Sequence, residues 1–289
     1  MHLDPEPAAL PANFLARAAV VVPALNEAPC VAATVRYWRA RGAALVRVVD
    51  NGSTDGTAMR ALVAGAAVVR ESRRGYGAAA WAGTLALPPR IEWIVFSSSD
   101  GSDRLDAAEA EGFQRAIDGG ADLVLGERVT LSASRRQLTP TQRFGNALCC
   151  ALLALGWGRR FRDMASLRAI RRSAFERLDL ADRGFGWNVE MQVRAVERSL
   201  RIAEVPVQFF PRAAGESKIS GNLRGIVGAG WGILAMVGKL YVGRAGIRPP
   251  SGTPFENMWQ VRLGRILPKA RADSRLRPTA RPQVSPAPD

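Results

Sequence analysis

Ala-Val-Val-Val-Pro-Ala-Leu-Asn-Glu (19–27), followed by Val-Val-Asp-Asn-Gly-Ser-Thr-Asp-Gly-Thr (48–57), decides the fold class. Two β-branched runs, 19–22 and 46–49, each end in polar and turn-forming residues, and a candidate helix at 28–41 lies between them. Strand, loop, helix, strand is the unit of a parallel sheet, whose ligand crevice lies outside the carboxyl ends of its strands. Glu27, Asp50 and Asn51 are therefore expected on the rim of one site.

The alternation continues. Further strands are expected at 67–70, 93–97 and 123–126, and further helices at 56–64, 77–85 and 106–118. This predicts a mostly parallel α/β sheet flanked by helices, in one domain over 17–222. A loose leader at 1–16 precedes it; an apolar helix at 223–247 and a basic, Pro-rich, disordered tail at 248–289 follow. The apolar runs at 144–158 and 226–238 fall short of the ~20 residues that cross a bilayer as a helix. Two readings stand for them: buried core helices, or helices in the membrane interface beside Trp157 and Trp231.

Composition narrows the chemistry. The chain has 289 residues, a net charge of +14 and 40 basic residues, of which only Lys218, Lys239 and Lys269 are lysines. No basic run is interleaved with aromatics, so nucleic acid is not expected as a partner, while anionic ligands and surfaces are. Cys30, Cys149 and Cys150 have no CxxC spacing and make no disulfide framework, which suits a reducing cytoplasmic compartment. His2 is the only histidine, so histidine bases, histidine metal ligands and Ser-His-Asp triads are excluded. The first residues do not read as a signal peptide.

Four loops carry candidate chemistry. Carboxylates at Glu27 and Asp50 can accept hydrogen bonds from ribose hydroxyls or a base. Ser53, Thr54 and Asp55 read as helix N-caps. Arg73-Arg74-Gly75-Tyr76-Gly77 places two cations and a glycine turn before an Ala-rich helix, a place for a diphosphate. Asp100 and Asp103, on a turn after the strand at 93–97, either hold magnesium or manganese or cap the following helix through an Asx turn.

In this order the pieces resemble family 2 glycosyltransferases, which have the GT-A fold, and within them the dolichyl- and polyprenyl-phosphate sugar transferases. The matching stretches are VVPALNE (21–27), VVDNGSTDGT (48–57), RRGYGAAAWAGT (73–84), SSSDGSD (97–103) and LVLGERV (123–129). The later half matches through RFGN (143–146), RDMASLRAIRRSAFERL (162–178), GWNVEMQVRA (186–195) and EVPVQFFPRAAGESKISG (204–221). The resemblance implies that Pro23, Leu25, Glu27, Asp50 and Asn51 hold the nucleoside of a UDP- or GDP-hexose. It implies that Asp100, with Asp103, binds Mg2+ or Mn2+, and that Arg128, Arg168, Arg212 and Lys218 lie around the phosphates. Ser98 departs from the pattern: the family commonly has aspartate there, and a hydroxyl is a weaker ligand for a hard cation. Glu190 matches the general base of inverting members, or is a plain helix carboxylate. The acceptor implied is a polyprenyl phosphate or another membrane-associated acceptor, reached by peripheral contact at the inner membrane face. The alternatives are a soluble hydroxyl acceptor, or a catalytically weak nucleotide-sugar-binding homologue.

Overall fold

β1 (Ala18–Ala24) is buried along almost its whole length, and its side chains divide by parity between two cores. Ala19 and Val21 pack on one face of the sheet, and Ala18, Val20 and Val22 on the other. This two-residue alternation makes β1 the central wall of a helix–sheet–helix sandwich. The computed structural model describes residues 14–214 and the helix at 223–244. The expected leader and tail therefore lie mostly outside the described residues.

After a short 3-10 turn, Phe14–Arg17, the elements run β1, α1 (Val31–Ala40), β2 (Leu45–Asp50), α2 (Thr57–Val63), β3 (Ala67–Arg70) and α3 (Tyr76–Ala82). They continue with β4 (Trp93–Phe96), α4 (Ala107–Asp118), β5 (Leu123–Glu127), α5 (Ser132–Gln137) and α6 (Pro140–Trp157). β6 (Arg168–Arg171), α7 (Arg172–Glu176), α8 (Trp187–Glu197), β7 (Ile202–Pro206) and α9 (Leu223–Arg244) complete the order. Capping boxes start α4 (Asp106 with Glu109) and α6 (Thr139 with Gln142, Pro140 at the first helical position).

The seven strands lie in the order β3-β2-β1-β4-β6-β5-β7. β1 pairs parallel with β2 and β4, β2 with β3, and β5 with β7; β6 is antiparallel to both β4 and β5. The sheet is therefore mixed. β6 and β7 escape a reading of apolar runs because Arg-Ala-Ile-Arg has a cation at each end, and β7 is only half buried.

The expected C-terminal apolar helix, set apart from the catalytic domain, needs correction. No described helix is long and apolar enough to cross a membrane. The chain at 223–244 is instead a helix of the domain itself: Met236, Val237 and Leu240 are buried in the same core as Trp157, Trp187 and Met191. Glycines of its neighbours let it sit close. A Cβ on Gly186 would meet Met236 at 2.6 Å, and Tyr241 lies against Gly156 of α6 and donates to the Leu152 carbonyl. Likewise 144–158 is part of α6 and buries Cys149, Cys150, Leu153 and Trp157.

Candidate functional site

Strand polarity gathers the functional loops on one edge. β1, β2, β3 and β4 run the same way, so residues after Ala24, Asp50, Arg70 and Phe96 emerge together. β6 is antiparallel, and its first residue, Arg168, pairs in register with Phe96, the last residue of β4. β5 runs antiparallel to β6, which delivers Arg128 to the same edge, and parallel β7 delivers the segment that carries Arg212.

The two loops that open the sequence are laced together. Asn26 donates its N–H to Ser53 Oγ (2.8 Å) and accepts at Oδ1 from Thr54 N (2.8 Å). Glu27 N donates to Thr57 Oγ1 (2.8 Å), and Ala28 N to Asp55 Oδ2 (3.1 Å). Gly56, with φ +82°, holds the N-cap position of α2; Asp55 still accepts the N–H of Thr57, the first helical residue, at Oδ1 (3.1 Å), while its Oδ2 and Ser53 Oγ serve the neighbouring loop. Asp50 accepts Ser53 N at 2.9 Å and is buried at the end of β2. Asn51 fixes the next loop with its whole amide, donating to the carbonyls of Glu71 (2.9 Å) and Arg73 (2.7 Å) and accepting Gly75 N (2.9 Å). Arg73 and Arg74 are left exposed above it, with the Arg74 guanidinium over Gly52.

The turn after β4 presents one carboxylate and hides another. Asp100 Oδ1 accepts Ser102 N (3.0 Å) and Ser102 Oγ (2.6 Å). Asp103 is 3% exposed, and its Oδ2 accepts Ser98 N and Ser166 Oγ, both at 2.8 Å. Burial pushes the Asp103 carboxyl above the usual aspartate range. Ser98 Oγ lies 3.0 Å from Ser102 Oγ.

Arg212 joins the separate strand ends. One terminal nitrogen, Nη2, donates to both oxygens of Glu27 at 2.8 Å, and the other, Nη1, to Asp100 Oδ2 at 3.0 Å. Burial opposes its charge, but the Glu27 and Asp100 carboxylates outweigh this and hold the guanidinium above its ordinary value. Glu27 and Asp100 thus converge on one group; Asp50 ends the neighbouring strand, in register with Ala24. Pro23 and Leu25 flank this point at the end of β1 and are half-buried.

The remaining expected cations sit deeper. Arg128 is tied to Asp163 by Nε (2.8 Å), Nη2 (2.9 Å) and its backbone N–H (2.9 Å), and its guanidinium lies over the Phe209 ring. Arg168 is fully buried, donating to the carbonyls of Asn188 and Ala165, and burial lowers it to about 10. Lys218 lies outside the described residues. Glu190 is 2% exposed and accepts Ala181 N (3.1 and 3.2 Å) and Asp182 N (2.7 Å). The loop it holds docks on the start of α3, where Gly77 N donates to Gly184 O and Ala78 N to Arg183 O. Asp163 and Ser166, which orient charged side chains, were not singled out in the sequence. The only signal for them is their place in the matched stretches.

A divalent cation fits this donor set on one condition. Among the described residues no three His, Cys, Asp or Glu side chains cluster for a metal. Asp100 would supply one carboxylate, and phosphate oxygens and water the rest, which is how magnesium is commonly held beside phosphates.

Comparison with known proteins follows the same contour. The family model described as "Glycosyl transferase family 2" matches residues 19–179. An uncharacterised glycosyltransferase of Mycobacterium tuberculosis is 38% identical over 208 residues, 72% of this chain and 92% of that protein. Polyprenol monophosphomannose synthase of Mycolicibacterium smegmatis is 32% identical over 238 residues, 75% of this chain and 87% of that one. Glucosyl-3-phosphoglycerate synthase of M. tuberculosis, solved with Mn2+, UDP-glucose and phosphoglyceric acid, has a TM-score of 0.59 over 81% of each chain at 22% identity. That likeness establishes the shared GT-A-like fold.

Proposed function

The chain belongs to glycosyl transferase family 2 and is a glycosyltransferase acting on a nucleotide-sugar; from that premise we propose that it moves a hexose to a soluble, phosphate-bearing hydroxyl acceptor. The observation that carries the site is the convergence of Glu27 and Asp100 on Arg212. In this reading Glu27 and Asp50 hold the nucleoside, with Pro23 and Leu25 as its apolar contact. Asn51 acts indirectly, by fixing the loop that bears Arg73 and Arg74 at the diphosphate. Mg2+ or Mn2+ at Asp100 would neutralise charge developing on the departing nucleoside diphosphate. Arg128, Arg168 and Asp103 hold the rim in place from beneath. Glu190 keeps the 181–184 loop, with half-buried Arg183, against α3.

The acceptor reading is supported by the phosphoglyceric acid bound in a protein of the same fold. The exposed cations Arg73 and Arg74 suit a phosphorylated acceptor as well as a donor. A second reading, a polyprenyl phosphate at the inner membrane face, is favoured by the name of the M. smegmatis relative. Exposed Phe144, Leu155, Trp231 and Leu234 on α6 and α9 suit contact with a lipid surface.

The test is a screen of UDP- and GDP-hexoses with Mg2+ or Mn2+, reading nucleoside diphosphate release with phosphoglyceric acid or with polyprenyl phosphate. Release driven by phosphoglyceric acid is the expected result; release driven only by the lipid phosphate selects the second reading. No release with any donor overturns the donor assignment.

A further inference from the structure

Away from the functional loops, at the other edge of the sheet, lies a cavity of about 300 Å³. α3 begins beside Arg73 and Arg74 and ends at this cavity; Ile94, near the start of β4, lines it, whereas the far end of β4 leads to the Asp100 turn. The floor is apolar. Ile94 is 1% and Phe175 5% exposed, and the half-buried Trp81 ring lies 6.0 Å from the Phe175 ring, centroid to centroid. The mouth is polar and carries Arg172, Glu176 and Asp179. Arg172 is held in place: Nε donates to Glu176 Oε1 (3.1 Å), and Nη1 to the carbonyls of Leu87 (3.2 Å) and Pro88 (3.0 Å). Arg172 Nη2, Glu176 Oε2 and the Asp179 carboxylate have no hydrogen-bond or ion-pair partner among the described residues.

We propose that this cavity is an accessory carbohydrate site that takes one neutral hexose ring, separate from the nucleotide-sugar crevice. A pyranose has a C–H face of low polarity and a rim of hydroxyls, each able to donate and to accept. The C–H face suits the Trp81–Phe175 floor, where burial of apolar surface is favourable. The hydroxyls suit a mouth that sets a guanidinium donor beside carboxylate acceptors. Charge argues against ionic ligands. Arg172 and Glu176 offset each other, so Asp179 leaves the mouth net negative, which disfavours a phosphate. An organic cation would gain only one exposed carboxylate, a weak attraction in water, with Arg172 opposing it. A neutral polyhydroxylated ring uses all three polar side chains. The volume lies at the small end of ligand pockets, which suits a single ring. Trp81 also bears the Arg183 guanidinium on its ring (4.4 Å), so an occupant is one side chain from the loop that seats the start of α3. The proposal does not rest on the acceptor reading, because the site is assigned by its own lining.

The experiment titrates the full chain with glucose, galactose and mannose by saturation-transfer NMR, with UDP, GDP and Mn2+ in excess to fill the donor crevice. A hexose has about twelve heavy atoms, for which ordinary ligand efficiencies give a dissociation constant of about 1–10 mM. At least one hexose is expected to bind in that range. Asp179→Asn, which tolerates the residue's φ of +50°, should weaken binding about three- to tenfold by replacing a charged acceptor with a neutral one. Trp81→Leu should abolish it, with circular dichroism checking the fold; where that variant fails to fold, Asp179→Asn alone decides. No hexose binding at several times that concentration, whether or not indole binds, would overturn the proposal. So would binding that the nucleotides displace, or binding that Asp179→Asn leaves unchanged. Transferase failure is separable, because it shows in the donor screen and leaves this titration unchanged.

Discussion

Glu190→Gln distinguishes a loop clamp from a catalytic base. In the structure the carboxylate accepts two backbone N–H groups, Ala181 N at 3.1–3.2 Å and Asp182 N at 2.7 Å, and is 2% exposed. Hydrogen bonds to a charged acceptor contribute about 1.5–3 kcal/mol each, roughly twice a neutral one. Glutamine keeps one neutral acceptor and turns an NH2 group toward donors, so the loss is about 2–3 kcal/mol. For a domain of this size that lowers Tm by about 4–12 °C. The loop also seats the start of α3 through Gly184 O and Arg183 O, so its loosening is expected to raise the donor KM. The assays are thermal melting and nucleoside diphosphate release across pH. A clamp predicts the lower Tm, a raised KM and an unchanged acid limb. Removing a general base would instead cut turnover about 10²–10⁴-fold and flatten that limb. An unchanged Tm with such a loss would refute the clamp.

Three other perturbations follow from the geometry. Asp163→Asn leaves the Arg128 guanidinium without its bidentate carboxylate; urea denaturation should show a loss of about 3–5 kcal/mol. Gly75→Ala puts a Cβ 2.1 Å from Arg183 O at φ +141°; strain of about 1–3 kcal/mol is expected, seen as a lower Tm and weaker donor binding by titration calorimetry. Asp103→Asn tests the buried carboxyl. Burial raises its folded value above 3.8, so its stabilising contribution is full at pH below 3.8 and is lost as pH rises through the folded value. Asparagine mimics the protonated form, so its Tm relative to the parent should climb as pH rises above 3.8; a constant difference would show that the group does not titrate on folding.

Much of the sheet is readable from residue pattern. β1, β2 and β4 are apolar runs because both faces of a central strand are covered, and turn residues end them. Glu27, Asp50 and Asp100 stand out because each follows directly on such a run. β6 and α9 are not readable in the same way. An apolar-run criterion passes over a four-residue strand flanked by arginines, and hydropathy cannot tell a helix buried against its own domain from one that meets lipid.

Residue order alone therefore determined that polar loops follow the strands, since strand and turn propensities are local. Which charges meet was decided only by the folded chain. Asp100 and Arg212 are 112 residues apart, and Glu27 and Arg212 are 185 apart. Their contact depends on β7 lying parallel to β5, and on the backbone seating that brings Arg212 across the turn after β4. The roles of Asn51, Asp103 and Glu190 were decided in the same way. A carboxylate or amide in a sequence advertises only its capacity to bind. Whether a ligand or a buried backbone N–H takes that capacity depends on which group tertiary packing brings within hydrogen-bond distance.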